Sequence, residues 1–329
     1  MKIKMKKFNS KYMIYIVIGL VLASIPLLAH LGIIGGWTVI IYGSIVFYAI
    51  AALGLNVLLG YSGLVSLGTA GFMGFAAYLS THLTLEMGLS FWISLPIIII
   101  GLTAVGLLVG LVSLRLAGMS LAIATLAVAE VFRRILIDIW GWTAYHPQYP
   151  DVFVRFLNRN ETYWLLVIML VLLMILTHNF IHSPVGRAFL TMRVSEAAAQ
   201  AMGINLLKYK LMAFGIATAY ATLAGILYAH FIPGLSPDPW DLMLSLQIVA
   251  VIVIGGLKTI IGPIIGSFIV FGVPHLILNQ LPVIGDISGL PFIFNGLLII
   301  IVILFYPNGL IYVGNDLKRL FKKKEVKSS

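Results

Sequence analysis

The sequence predicts an all-α polytopic integral membrane protein with about ten transmembrane helices, eight at the least, and both termini in the cytoplasm. Three observations carry this. Hydrophobic residues make up 61% of the 329 residues and charged residues only 10%, whereas a soluble domain is roughly half apolar and about a quarter charged. Ten stretches approach the roughly 20 apolar residues that a spanning helix requires. Lysine and arginine alternate between the two sides as a consistent topology demands. Disorder is excluded by the same composition, since so much apolar surface cannot stay solvated.

The ten stretches are 12–34, 37–59, 61–83, 91–114, 117–139, 163–181, 209–232, 242–257, 260–280 and 291–307; the third, eighth and ninth are rich in glycine. The basic start followed by an apolar run mimics a secretory signal. The run from Tyr12 to Ile34 is too long for a signal core of about 7–15 residues, and no A-x-A site follows it, so it reads as an uncleaved first span.

With the amino terminus inside, ten crossings place Lys2, Lys4, Lys6, Lys7, Lys11, Arg115, Arg187, Arg193, Lys208, Lys210, Lys258 and six tail residues from Lys318 to Lys327 in the cytoplasm. That is seventeen of the 21 basic residues; Arg133, Arg134, Arg155 and Arg159 stay outside. Removing one span breaks the agreement between the two basic ends, and removing two preserves it. Three regions follow: a basic amino-terminal flank (1–11), a membrane domain (12–312) and a basic tail (313–329). The net charge of +10 therefore belongs to flanks held by anionic lipid. No basic face interleaved with aromatic residues points to nucleic acid.

There is no cysteine, which excludes disulfides, thiolate metal sites and a cysteine nucleophile. No metal site and no catalytic constellation is expected, because H-E-x-x-H, G-x-S-x-G and paired carboxylates are all missing. His178 and His182 share i, i+4 spacing but read as interfacial residues. The outer loop 140–162 carries Trp140, Trp142, Tyr145, His146 and Tyr149. Two readings stay open for it, an interfacial aromatic belt and a docking surface for an external partner.

The segment 182–208 is too polar for lipid. Good helix formers run from Val185 to Met202, Ser195 is a possible N-cap and Gly203 a helix stop. It reads as a short amphipathic cytoplasmic helix whose Ala197, Ala198 and Ala201 admit another backbone closely. In the first glycine-rich stretch, Gly60, Gly63, Gly68, Gly71 and Gly74 fall within about 140° of arc at 100° per residue. Either this is a packing face, or the helix is broken near Gly60 or Gly68 and its exposed backbone lines a pathway. In the second case Asn56, Ser62, Ser66 and Thr69 add hydrogen-bonding groups. Glu130 is the one acid well inside a predicted span, with Arg133 and Arg134 following. It reads as a structural ion pair or as a polar lining of the pathway.

Five blocks resemble one family, in that family's order: NVLLGYSGLVSLGTAGFMGFAAY (56–78), LRLAGMSLAIATLAVAEVFRRI (114–135), SPVGRAFLTMRVSEAAAQAMGIN (183–205) with the following span, VIVIGGLKTIIGPIIGSF (251–268) and FYPNGLI (305–311). Together they are similar to the LivM-type permeases, membrane subunits of branched-chain amino-acid ABC importers. The resemblance implies import of branched-chain amino acids across a bacterial or archaeal plasma membrane. It implies a second homologous permease, two cytoplasmic ATP-binding subunits, an extracytoplasmic solute-binding protein, and no cofactor on this chain. It makes 182–208 the coupling segment, with Glu196, Ala197, Ala198 and Gly203 at the ATPase contact. It leaves Asn56, Gly60, Gly63, Ser66, Gly68, Thr69, Glu130 and Arg134 as pathway candidates. Gly203 follows Glu196 by seven positions, where the general importer loop has six. No phosphate loop occurs, since Gly255-Gly256-Leu257-Lys258-Thr259 lacks glycine directly before lysine. The alternatives are a same-family permease for urea or short amides and a transporter driven by an ion gradient.

Overall fold

The computed structural model describes residues 2–113, 119–140, 149–152, 155–276, 290–306 and 309–312. The basic tail 313–329, Arg115 and residues 141–148, 153 and 154 of the aromatic loop lie outside them. Apart from one antiparallel pair of two-residue strands, Asp151–Val152 with Arg155–Phe156, the described structure is helical.

Helix α1 (Lys2–Ala23) passes through a break at Ser24 into α2 (Ile25–His30), whose first turn holds Pro26. Helix α3 (Thr38–Leu55) runs on as a π-helix, Asn56–Tyr61. After it come α4 (Thr69–Thr81), α5 (Phe91–Ser113), α6 (Met119–Trp140) and α7 (Arg159–His182). Asn158 and Glu161 start α7 with a reciprocal capping box. Two short helices, α8 (Pro184–Val194) and α9 (Glu196–Ala201), lead to α10 (Leu206–Phe231). Helices α11 (Leu242–Gly255) and α12 (Gly262–Ser267) follow, the latter continued by a π-helical turn and α13 (Val273–Leu276). Helix α14 (Leu290–Phe305) and a 3-10 turn, Leu310–Tyr312, end the described chain.

Five described helices are long and apolar enough to cross a membrane: Lys11–His30, Thr38–Tyr61, Phe91–Val112, Arg159–His182 and Leu206–Phe231. They coincide with the first, second, fourth, sixth and seventh predicted spans. The eighth and ninth correspond to shorter apolar helices, Leu242–Gly255 and Gly262–Leu276. The fifth corresponds to α6, which carries Glu130, Arg133, Arg134 and Asp138. The third departs from expectation. Residues 61–83 are not one helix, because 62–68 are non-helical between Tyr61 and Thr69.

Helix α10 lies at the centre and packs on α3, α4 and α5. Its approach to α4 is set by Gly225, where a Cβ would lie 2.1 Å from the carbonyl oxygen of Met73. Around this crossing Met73, Ala76, Ala224 and Ile226 are fully buried. Small residues let backbones meet in lipid, where dispersion and shape drive association in place of the hydrophobic effect.

The two ends of α10 mark the two ends of the molecule, roughly 39 Å apart at 1.5 Å per residue. At its start Lys210 pairs with Glu196 of α9 at 2.6 Å. At its finish the His230 ring meets the Ser80 hydroxyl at 2.8 Å and the Phe91 ring edge-on. There Asp151 accepts the Phe91 N–H at 2.7 Å and so caps α5 from a distant loop. Burial raises the Asp151 carboxyl, but hydrogen bonds from Ser90 and Phe91 outweigh it and hold the group below the ordinary carboxylate range.

Candidate functional site

The segment 182–208 holds two helices rather than the single expected one. Ser183 caps α8, its Oγ accepting the Val185 N–H at 3.2 Å, and Ser195 caps α9 by accepting from Ala198, also at 3.2 Å. Ser195 has extended backbone (φ −159°, ψ 119°), so the chain turns sharply there. Serine offers the backbone an oxygen at the first turn, and that local bond competes with helix continuation. Helix α9 ends in a Schellman motif: the Gly203 N–H reaches the Gln200 carbonyl and the Ile204 N–H reaches that of Ala199. Gly203 has φ +77°, the left-handed conformation that glycine adopts without steric cost.

Ala199 is fully buried and anchors α9, while Glu196, Ala197, Ala198 and Gly203 are exposed. Beside them stand uncovered apolar side chains, with Val194 86% and Met202 63% exposed and Leu207 half exposed. This surface joins two candidate spans, α7 and α10, and carries these large apolar groups uncovered.

The inner face of α8 touches the helix break. Gly63 has φ +79°, and a Cβ there would lie 3.0 Å from Cγ of Arg193. Arg193 extends beneath the segment, with one guanidinium nitrogen buried and without a hydrogen-bond partner. Burial lowers its pKa from the ordinary arginine value.

Beyond Gly63 the chain is non-helical as far as Gly68, with Leu64 and Ser66 buried and Val65 exposed. Backbone groups freed from the helix find side-chain partners: Thr125 accepts from Leu67 N–H at 3.0 Å, Ser66 from Gly68 at 3.3 Å and Ser245 from Ala70 at 3.1 Å. Irregular backbone survives at membrane depth only when satisfied in this way. Ser66 and Thr69 face a crevice shared with Leu58, Phe72, Phe214 and Thr218. Its volume is about 10 Å³, room for roughly one water. Gly68 packs on the Thr125 carbonyl. The five glycines therefore share no helix face, since Gly60 and Gly63 precede α4.

Asn56 has another task. Its amide donates to the Thr259 carbonyl at 2.6 Å and accepts the Lys258 N–H at 3.1 Å, while Tyr61 donates to the Lys258 carbonyl at 2.5 Å. These bonds clamp the turn between α11 and α12, where Lys258 has φ +62°. Gly60 lies inside this clamp, its would-be Cβ 2.1 Å from the Asn56 oxygen.

Helix α6 has two faces. Leu121, Thr125, Ala129, Phe132 and Leu136 are buried, whereas Ser120, Ile123, Ala127, Glu130, Arg134 and Asp138 are exposed. Glu130 lies near mid-helix and is gripped by Arg133 through two 2.9 Å hydrogen bonds. Arg134, the expected i+4 partner, stands 4.0 Å away. Among the described residues no group of three metal-ligating side chains occurs. Sequence reasoning missed Arg193, Thr125 and Ser245, because each acts through a partner far away in the chain.

The pattern of the family of branched-chain amino acid transport system permease components matches residues 37–306. The high-affinity branched-chain amino acid transport system permease protein LivM of Escherichia coli (strain K12) is 29% identical over 293 residues, covering 80% of this chain and 67% of its own length. LivM of Salmonella typhimurium is 30% identical over the same shares. The autoinducer 2 import system permease protein LsrC of Photorhabdus laumondii is 26% identical over 225 residues, 64% of this chain and 60% of its own. No solved structure matches the chain.

Proposed function

The chain belongs to the family of branched-chain amino acid transport system permease components, and from that premise we propose that it moves branched-chain amino acids inward through the plasma membrane as one permease of an ATP-driven importer. It is a multi-pass membrane protein of ABC permease type. In the proposed assembly it pairs with a second, related permease, and two cytoplasmic ATPases and an external binding protein complete the machine. It carries no cofactor and hydrolyses nothing itself. Ten crossings with both ends inside, membrane domain 12–312 and basic flanks 1–11 and 313–329 are the topology that suits this role.

One observation supports the mechanism above all: α8 rests on the helix break through Arg193 and Gly63. Helices α8 and α9 form a capped, rigid lever. The exposed surface around Glu196, Ala197, Ala198 and Gly203 docks into the ATPase. Its displacement presses on Gly63 and shifts residues 62–68. The crevice at Ser66 and Thr69 then widens enough to pass a zwitterion with an apolar tail. Glu130 and Arg134 lie on the exposed face of α6, which the ten-crossing topology takes as a span. Charges there are costly against lipid, so this face lines the conduit shared with the second permease. Asn56, Gly60 and Gly68 hold the walls and do not touch the solute.

Uptake of labelled leucine into proteoliposomes carrying the whole assembly is the test. Import should require ATP and binding protein and stop with vanadate. Import that persists without ATP and collapses with an ionophore would contradict the reading. The relative named for autoinducer 2 import makes cargo competition a necessary arm: excess isoleucine and valine should suppress leucine uptake, and urea should not.

A further inference from the structure

Where the apolar span of α1 begins at Lys11 and α7 finishes, a cavity of about 440 Å³ opens between α1, α7 and the turn joining α11 to α12. Its polar lining is Lys11, Lys258, His178, His182, Tyr15, Tyr61 and Thr259, and among the described residues none that lines it is acidic. Neither lysine has a carboxylate partner among the described residues. The site is built rather than incidental. The Asn56 and Tyr61 bonds fix the backbone of Lys258. Tyr15 meets His178 at 2.9 Å, and the two imidazoles stack with centroids 4.1 Å apart. Isoleucines, among them Ile311, complete the walls.

Both ends of the cavity's lining continue in sequence into basic runs. The run containing Lys2, Lys4, Lys6 and Lys7 leads into Lys11. The tail holding six more basic residues starts just beyond Ile311. More than half of the lysine and arginine of the sequence lies in these two terminal segments. A basic pocket between spanning helices at the membrane boundary is suited to a phospholipid phosphate, with the apolar wall beside the glycerol and first acyl carbons.

We propose that this cavity is a binding site for the headgroup phosphate of an anionic phospholipid, held by Lys11 and Lys258. The proposal is independent of the transport reading and depends only on the chain lying in a membrane. Native mass spectrometry of the full chain in detergent tests it, with phosphatidylglycerol and phosphatidylcholine of identical acyl chains as probes. Phosphatidylglycerol should bind roughly tenfold tighter or more. Lys11→Gln with Lys258→Asn should remove that preference; asparagine tolerates the left-handed backbone at 258. Lys208→Gln, at the same end but outside the cavity, should leave it intact. Equal binding of the two lipids, or an undiminished preference in the double variant, would overturn the proposal. So would displacement of phosphatidylglycerol by millimolar inorganic phosphate, which would assign the cavity to a soluble anion. Should the double variant misfold, the comparison of lipids and the phosphate competition on the unaltered chain still decide.

Discussion

Gly63→Val should cut ATP-driven uptake at least tenfold while the solubilised chain stays folded. Gly63 has φ +79°, and a β-branched residue in that region is a genuine outlier. The left-handed backbone costs an L-residue about 1–2 kcal/mol, and the added methyls press on Arg193. Gly63 is exposed and outside the packed helices, so the chain can relieve the strain by moving the break away from α8. Folding then survives while the link between lever and crevice is lost. Gly63→Asn, which accepts positive φ and adds a smaller polar group, should retain more activity. Uptake and ATPase rate measured on the same preparation separate the cases: the valine variant should hydrolyse ATP without import. Full import by Gly63→Val would remove Gly63 from the mechanism.

The second large effect concerns the fold. Gly225→Leu should lower the melting temperature sharply or prevent recovery of folded chain. A Cβ at 225 would lie 2.1 Å from the Met73 carbonyl oxygen and 2.8 Å from its Cα. These are backbone atoms of a buried helix, and no rotamer change moves them. The α4–α10 crossing must open, and contacts around Met73, Ala224 and Ile226 weaken together. Overpacking a tight core commonly costs about 1–3 kcal/mol, and losses above about 4 are reserved for such unrelievable clashes. Gly101→Leu is the control, since a Cβ there meets nothing within 4 Å. Thermal unfolding of both variants in detergent checks the contrast; similar melting would mean that the crossing is not tight.

Much of this architecture is legible in the residues themselves. Hydropathy locates Thr38–Tyr61, Arg159–His182 and Leu206–Phe231 within a few positions, because a spanning helix must satisfy its backbone internally and face apolar surroundings. Gly203 is recognisable as a stop because a Schellman motif needs positive φ there. The break at 62–68 is not legible, since its glycines fit one helix face as well as they fit a loop. What decides is Thr125 and Ser245 accepting backbone N–H groups from sequence distances of 58 and 175. Ser195 can cap a helix or sit inside one, and only its extended backbone shows that α8 and α9 are separate. Asn56 looks like a pathway amide until Thr259, 203 positions away, takes its hydrogen bond.

The chain contains no cysteine, so a single introduced thiol reports without background. Ser66→Cys places one in the narrow crevice with little change in size. In the assembled complex, ATP-driven cycling should raise its reaction with a small maleimide at least tenfold. Adding Ala198→Trp, a bulky group on the exposed lever surface, should abolish that rise while the helices stay folded. A reactivity that ignores ATP, or that still responds when Ala198 is tryptophan, would mean that motion of the cytoplasmic segment does not open the crevice.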